Sequence, residues 1–179
     1  DKFWNRVMFP IMDVNNRVIG FGGRVMGDGS PKYLNSKETT LFDKSRNLYG
    51  LNFVRENIKK YKTAIVAESE KSCLQYSTMF GQDKNIVVAA CGSTFHKYQL
   101  DLLIKCGAER VLIAFDKEGK TWEEKEKYFA KLKGICEKYK NYCTMGFVYD
   151  NSNLLKLKQS PFDCGPEVAT KLISKGVWL

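Results

Sequence analysis

From residue 61 onward, short apolar runs alternate with segments whose apolar residues recur at helical spacing. The runs are β-branched and nearly continuous, a pattern typical of parallel strands buried on both faces. Strand–helix alternation with right-handed crossovers predicts an α/β fold with a mostly parallel sheet flanked by helices. The predicted strands are 63–68, 85–90, 109–115 and 144–149, and the predicted helices are about 70–80, 95–106 and 122–140.

The first sixty residues have a different pattern. Apolar segments 7–11 and 18–24 flank a turn-like stretch, and residues 47–60 carry apolar side chains at helical spacing. These features predict a small α+β subdomain. We therefore expect three regions: a basic α+β subdomain over 1–60, an α/β domain over 61–150, and a C-terminal extension over 151–179 that completes it.

Charge and composition narrow the class of protein. The formal net charge is +9, and residues 1–60 hold 11 basic and 6 acidic side chains, which favours a polyanionic partner such as nucleic acid. No apolar run approaches the roughly 18–20 residues of a membrane span, so we expect a cytoplasmic protein without a membrane partner. The six cysteines form no C-x₂-C pair, so a zinc site lacks its usual spacing. Because the sequence begins at Asp1, we expect a longer parent protein.

Acidic side chains follow two of the predicted strands. Glu68 ends the run that begins at Thr63, and Asp116-Lys117-Glu118 follows the run that begins at Arg110. Ligands of open parallel sheets bind beyond the carboxyl ends of the strands, so these acids are expected to share a crevice. Carboxylate oxygens favour Mg²⁺ or Mn²⁺. The pattern predicts a phosphoryl-transfer site.

Several motifs resemble those of bacterial (DnaG-type) DNA primases. They are RVMFPI at 6–11, GFGGR at 20–24, KYLNS at 32–36, Glu38-Thr39 and Leu48-Tyr49-Gly50. The acids at 68, 116 and 118 resemble the TOPRIM domain that follows these motifs in such primases. The resemblance covers essentially the whole chain in the right order.

This resemblance implies template-directed synthesis of short RNA primers on single-stranded DNA from nucleoside triphosphates, with Mg²⁺ or Mn²⁺. It implies catalytic and metal-binding roles for Glu68, Asp116 and Glu118. It also implies a replicative helicase as a partner through regions outside this sequence, and weak or absent activity for these residues alone. The positions that match template- and nucleotide-facing residues are Arg24, Lys32, Tyr33, Asn35 and Lys44.

The chain departs from the family pattern at the acidic motifs. The usual E-G-Y-x-D stretch is Glu68-Ser69-Glu70-Lys71-Ser72 here, so Ser72 replaces an aspartate and Glu70 is a substitute metal ligand or a helix cap. The usual Asp-x-Asp pair ends in Glu118. Two later acids are further candidates for metal ligands. Asp163 resembles the late acid of the TOPRIM region, and Asp150 is either a metal ligand or a turn residue.

Two other functions remain open from the sequence. A TOPRIM nuclease would use the same metal ions to cut DNA without nucleotides, but it leaves the KYLNS and GFGGR motifs unexplained. A non-catalytic nucleic-acid-binding module would have lost its metal affinity through the altered acids.

Overall fold

The computed structural model describes residues 2–179 and contains two β-sheets. The first is antiparallel and follows chain order, with strands β1 (Arg6–Met12), β2 (Val18–Val25) and β3 (Tyr33–Asn35). Gly22 of β2 is opposite Phe9 of β1 and Asn35 of β3. Arg24 is opposite Tyr33. The predicted small subdomain therefore has a three-stranded sheet.

The second sheet has five strands in the order β5-β4-β6-β7-β8. Its strands are β4 (Thr63–Ala67), β5 (Val87–Ala89), β6 (Arg110–Ala114), β7 (Thr144–Phe147) and β8 (Val177–Trp178). The first four are parallel, and β8 pairs with β7 in the antiparallel direction. The helices are α1 (Leu51–Tyr61), α2 (Glu70–Phe80), α3 (Lys97–Lys105), α4 (Trp122–Tyr139) and α5 (Pro166–Ser174), with 3₁₀ turns at Lys44–Arg46 and Gln82–Lys84.

The five-stranded sheet is buried on both faces. Alternate strand residues point to opposite faces, so Val66 and Ile113 pack against α1, α3 and α4. Their neighbours Ile65 and Leu112 pack on the other face with residues of α2, α5 and β1. The antiparallel sheet is thus attached to the α/β core through the buried side chains of β1.

The predicted fold class is confirmed: a mostly parallel sheet flanked by helices follows a small sheet-containing region. Helix α3 is capped by His96, whose backbone N–H donates a hydrogen bond to Gln99 Oε1. The extension after Asp150 contributes α5 and the antiparallel strand β8.

The predicted boundary near residue 60 remains a prediction, although α1 on its amino-terminal side packs on the parallel sheet. Across residues 2–179, the structure contains no helix with both the length and the apolar character needed to cross a bilayer.

Candidate functional site

Glu68 and Asp116 are brought together by the register of two adjacent parallel strands. Ala67 at the end of β4 is aligned with Ala114 at the end of β6. Glu68 and Asp116 therefore lie one and two residues beyond an aligned pair, at the same edge of the sheet. The backbone N–H of Asp116 donates a hydrogen bond to the Glu68 carboxylate.

The environment of these two acids favours their protonated forms. Burial raises the pKa of Asp116 from its ordinary value of 3.8 to about 7, and the carboxylates of Glu68 and Asp163 reinforce the shift. Burial also raises the pKa of Glu68, with a further contribution from Glu118. Asp116 Oδ1 is buried without a hydrogen-bond partner in the described structure. This concentration of negative charge would be relieved by a cation.

The antiparallel sheet supplies the opposite wall of the cleft. Tyr33 and Asn35 of β3 line the same cleft as Glu68 and Asp116. The structure thus brings residues predicted to bind template or nucleotide next to residues predicted to bind metal. The cleft, which we call the acidic cleft, is lined by Tyr33, Asn35, Glu68, Ser69, Glu70, Cys91, Gly92 and Asp116.

Basic side chains surround the same cleft. The charges of Lys71 and Lys32 lower the pKa of Asp116 and partly offset its rise. Tyr33 is affected similarly: burial raises its pKa, while a hydrogen bond with Ser69 and the charges of Lys71 and Arg24 act against that rise. Arg24 and Lys32 therefore lie near the acidic cleft, and their contact with template or nucleotide remains a prediction.

Asp163 lies near the acids but is already bound by other side chains. Its carboxylate accepts hydrogen bonds from Lys71 and Gln75, and from the backbone N–H of Ser160. Burial raises the pKa of Asp163, but these bonds outweigh that effect and hold it below its usual value. Asp163 is therefore an ionised group that fixes Lys71 beside the cleft.

Glu118 is directed toward lysines. Its carboxylate lies 3.1 Å from Lys158 Nζ and 3.6 Å from Lys131 Nζ. It is close enough to Glu68 to raise the pKa of that residue, but it does not line the acidic cleft. Of the three acids predicted to bind metal together, only Glu68 and Asp116 therefore line the acidic cleft. Within residues 2–179, no group of three or more His, Cys, Asp or Glu side chains is arranged to hold an ion.

Glu70 is buried in the wall of the cleft, with only 2% of its surface exposed. Its carboxylate accepts a hydrogen bond from the Cys91 thiol, while its Oε1 atom has no hydrogen-bond partner in the described structure. A Cβ atom at Gly22 would lie 2.5 Å from that oxygen. Burial raises the pKa of Glu70. Glu70 is the first residue of α2 and contacts the antiparallel sheet.

Asp150 lies outside the acidic cleft, and its carboxylate is bound by other groups of the protein. Its carboxylate pairs with Lys117 at 2.9 Å and accepts hydrogen bonds from the backbone N–H groups of Leu154 and Leu155. Lys44 also lies outside the cleft lining: it is exposed on a 3₁₀ turn, and its carbonyl accepts a hydrogen bond from Gln99.

The sequence interpretation missed several residues that shape the site. Lys71, Lys117, Lys131 and Lys158 each pair with one of the predicted acids. Only Lys117 carried a usable signal: it lies between two acids on an extended segment, so it must point away from them. The other contacts depend on how distant segments pack.

The donor set fits a divalent cation. Mg²⁺ is commonly held by one or two carboxylates that act together with water and substrate phosphates. Glu68 and Asp116 supply two such carboxylates, and the buried Asp116 Oδ1 lacks a partner among the described residues. A complete cage of protein ligands is unnecessary for this mode of binding.

Comparison with known proteins identifies the relatives of this chain. Residues 1–55 match the family model of the DNA primase catalytic core, N-terminal domain. A DNA primase of Clostridium acetobutylicum is 47% identical over 117 residues, which cover 65% of this chain and 19% of that protein. The SPbeta prophage-derived protein YorJ of Bacillus subtilis is 30% identical over 96% of this chain and 49% of its own length.

Solved structures agree with this assignment. A DnaG primase catalytic domain bound to single-stranded DNA matches 99% of this chain and 54% of its own length, with a TM-score of 0.74 and 28% sequence identity. The resemblance predicted from the motifs is confirmed. The chain spans about half the length of YorJ and about a fifth of the clostridial primase.

Proposed function

Because the chain belongs to the DnaG-type DNA primase family, we propose that it forms part of a primase catalytic core that makes short RNA primers on single-stranded DNA. The observation that carries the proposal is the acidic cleft, in which Glu68 and Asp116 face Tyr33 and Asn35. A related catalytic domain has been solved with single-stranded DNA, and we extend that ligand to this chain.

The proposed reaction is nucleotidyl transfer. The 3′-hydroxyl oxygen of one nucleotide attacks the α-phosphorus of a nucleoside triphosphate, a P–O bond forms, pyrophosphate leaves, and the hydroxyl proton passes to water. Glu68 and Asp116 would hold Mg²⁺ or Mn²⁺, and Glu118 and Asp163 would be additional ligands. When bound, such an ion neutralises phosphate oxygens as a Lewis acid.

The protein side chains have separate tasks in this scheme. Lys32 and Lys71 lie close enough to lower the pKa of Asp116, and their charges would attract the triphosphate to the cleft. Tyr33 offers a ring on which a base can stack, and the amide of Asn35 can hydrogen-bond to template or nucleotide. Arg24, opposite Tyr33 in the sheet, would neutralise a template phosphate.

Asp116→Asn tests the proposed function. The full chain is incubated with a single-stranded template, the four ribonucleoside triphosphates and Mg²⁺ or Mn²⁺, and labelled primers are resolved on a gel. Because an ionised carboxylate at position 116 is central to the scheme, Asp116→Asn should reduce synthesis by at least about 100-fold. Asp83→Asn is the control, since Asp83 is an exposed carboxylate on a 3₁₀ turn.

Manganese binding provides a second measurement that does not require primer synthesis. Calorimetry should detect one or more Mn²⁺ ions bound by the chain and by Asp83→Asn, and weaker binding by Asp116→Asn. Full primer synthesis by Asp116→Asn would contradict the proposal. Template cleavage in the absence of nucleotides would identify a nuclease instead.

A further inference from the structure

A second groove lies at Glu118 and is open to solvent. Four lysines line it, and we call it the lysine groove: Lys120, Lys127, Lys131 and Lys158. They come from three segments: the loop before α4, one face of α4, and the segment that follows β7. The groove is therefore a product of the tertiary fold rather than a local run of charge.

The position of Lys158 is fixed by backbone hydrogen bonds. Its N–H donates to the carbonyl of Lys117 at 2.8 Å, and the N–H of Lys117 donates to the carbonyl of Gln159 at 2.9 Å. This strand-like pairing holds Lys158 beside Glu118, the residue that follows Lys117. On α4, Lys127 and Lys131 are four residues apart and share one face of the helix.

The lysine groove has more basic than acidic side chains, because its four lysines are accompanied by only two acids, Glu118 and Glu124. Glu118 is shared by Lys131 and Lys158, and Glu124 accepts hydrogen bonds from the backbone at the start of α4. Within residues 2–179, neither Lys120 nor Lys127 forms a close ion pair with an acid, although the backbone hydrogen bonds and then the charges of both lysines lower the pKa of Glu124. By contrast, Lys133, which does not line the groove, pairs with Glu137 at 3.6 Å.

We propose that the lysine groove binds the phosphodiester backbone of a nucleic-acid strand beside the acidic cleft. Lysine ammonium groups on flexible stems bind phosphates as point charges, and such contacts position a strand without reading its sequence. The open shape suits a strand that passes through. This inference rests on the proposed function, because the strand would be the template or the primer of primer synthesis. The lysine groove would guide that strand beyond the acidic cleft.

The double variant Lys120→Ala/Lys127→Ala tests the inference. Binding of a fluorescein-labelled single-stranded oligonucleotide of mixed sequence is measured by anisotropy over a range of salt concentrations, with EDTA and without nucleotides. Loss of two phosphate contacts should reduce the magnitude of the log–log salt slope by about 1.4, and should weaken binding by about tenfold or more at 0.1 M salt. The control is Lys133→Ala/Lys140→Ala, which removes the same formal charge outside the groove.

The outcomes separate the possible explanations. A selective loss of affinity in the groove variant supports the inference, whereas equal losses in both double variants overturn it in favour of a net-charge effect. Unchanged oligonucleotide binding combined with weaker ATP binding also overturns it, because the phosphates recognised would be those of a free nucleotide. Because these measurements need neither metal nor synthesis, failure of the proposed catalysis leaves them interpretable.

A footprint on the unaltered chain removes dependence on the folding of the variants. Acetylation of lysines is followed by mass spectrometry with and without the oligonucleotide. Protection of Lys120 and Lys127, with Lys133 unprotected, supports the inference. Equal modification of all three in the presence of the oligonucleotide overturns it.

Discussion

The ammonium group of Lys117 lies 2.9 Å from the carboxylate of Asp150, and this ion pair joins the ends of two parallel strands. The side chains are only 12% and 3% exposed, respectively. Lys117 also donates hydrogen bonds to Asn153 Oδ1 and to the carbonyl of Leu155. The pair therefore fixes the segment that carries the candidate acids on either side of Lys117.

Lys117→Met should destabilise the fold. Methionine fills much of the same space but leaves Asp150 buried without its cationic partner, and breaking a buried pair in this way costs about 3–5 kcal/mol. Urea unfolding followed by circular dichroism measures the free energy of unfolding. Lys120→Met is the matched control and should change it by less than about 0.5 kcal/mol, because Lys120 is exposed. Equal midpoints and slopes for Lys117→Met and the unaltered chain would contradict the assigned role of the pair.

Asp116 should make the metal-free protein less stable as the pH rises. Burial raises the pKa of Asp116 in the folded state to about 7, whereas in the unfolded chain it is about 3.9. Between these values the folded state binds more protons, so the free energy of unfolding falls as pH increases. Asp116→Asn removes this contribution. In EDTA, the variant should gain stability relative to the unaltered chain between pH 5 and pH 8.

The gain between pH 5 and pH 8 has an upper limit of about 3 kcal/mol, because the two states differ in proton binding mainly over the roughly two units between pH 5 and the folded-state pKa of about 7, and each unit corresponds to about 1.36 kcal/mol. Solvent screening will reduce this gain. Denaturant midpoints at the two pH values measure the effect. Adding Mn²⁺ at pH 8 should stabilise the unaltered chain more than Asp116→Asn, because an ion that binds only the folded state shifts the equilibrium toward it. A pH-independent difference between the two proteins would show that Asp116 titrates normally.

The close contact between Gly22 and Glu70 leaves no room for a side chain at position 22. A Cβ at position 22 would lie 2.5 Å from Glu70 Oε1 and 3.2 Å from Asn35 Oδ1. Because Glu70 is buried, Gly22→Ala should cost about 1–3 kcal/mol through overpacking and should displace Asn35 in the acidic cleft. The double variant Gly22→Ala/Glu70→Ala should lose less stability than the two single changes added together, as expected for residues in contact.

Gly134→Ala provides the control for this prediction. Gly134 lies within α4, and apart from its chain neighbours and the backbone of the helix itself, no atom lies within 4 Å of the added Cβ. Alanine should therefore stabilise the helix by up to about 1 kcal/mol. Urea unfolding of the variants compares the two sites. A stabilising effect of Gly22→Ala would contradict the close contact with Glu70.

The sequence predicted the sheet and its acids because both follow from local pattern. The runs that form β4 and β6 are apolar at every buried position, and Glu68 and Asp116 follow them directly. Strand β8 has only two residues and β3 only three, which is too short for periodicity to detect. The partners of the acids were missed for a different reason. Lys158 is 40 residues from Glu118, so its contact depends on the path of the segment after β7.

Ser72 occupies the position at which the family pattern has an aspartate, and it is completely buried. Its Oγ lies 2.9 Å from Ser160 Oγ, also buried. Ser72→Asp should therefore bury a charge without a suitable partner and cost more than about 3 kcal/mol, whereas Ser72→Ala should cost about 1 kcal/mol through the lost hydrogen bond. Urea unfolding and Mn²⁺ calorimetry measure both variants. A stable Ser72→Asp protein with tighter Mn²⁺ binding would instead mean that this position reaches the metal site, and that the acidic cleft extends beneath α2.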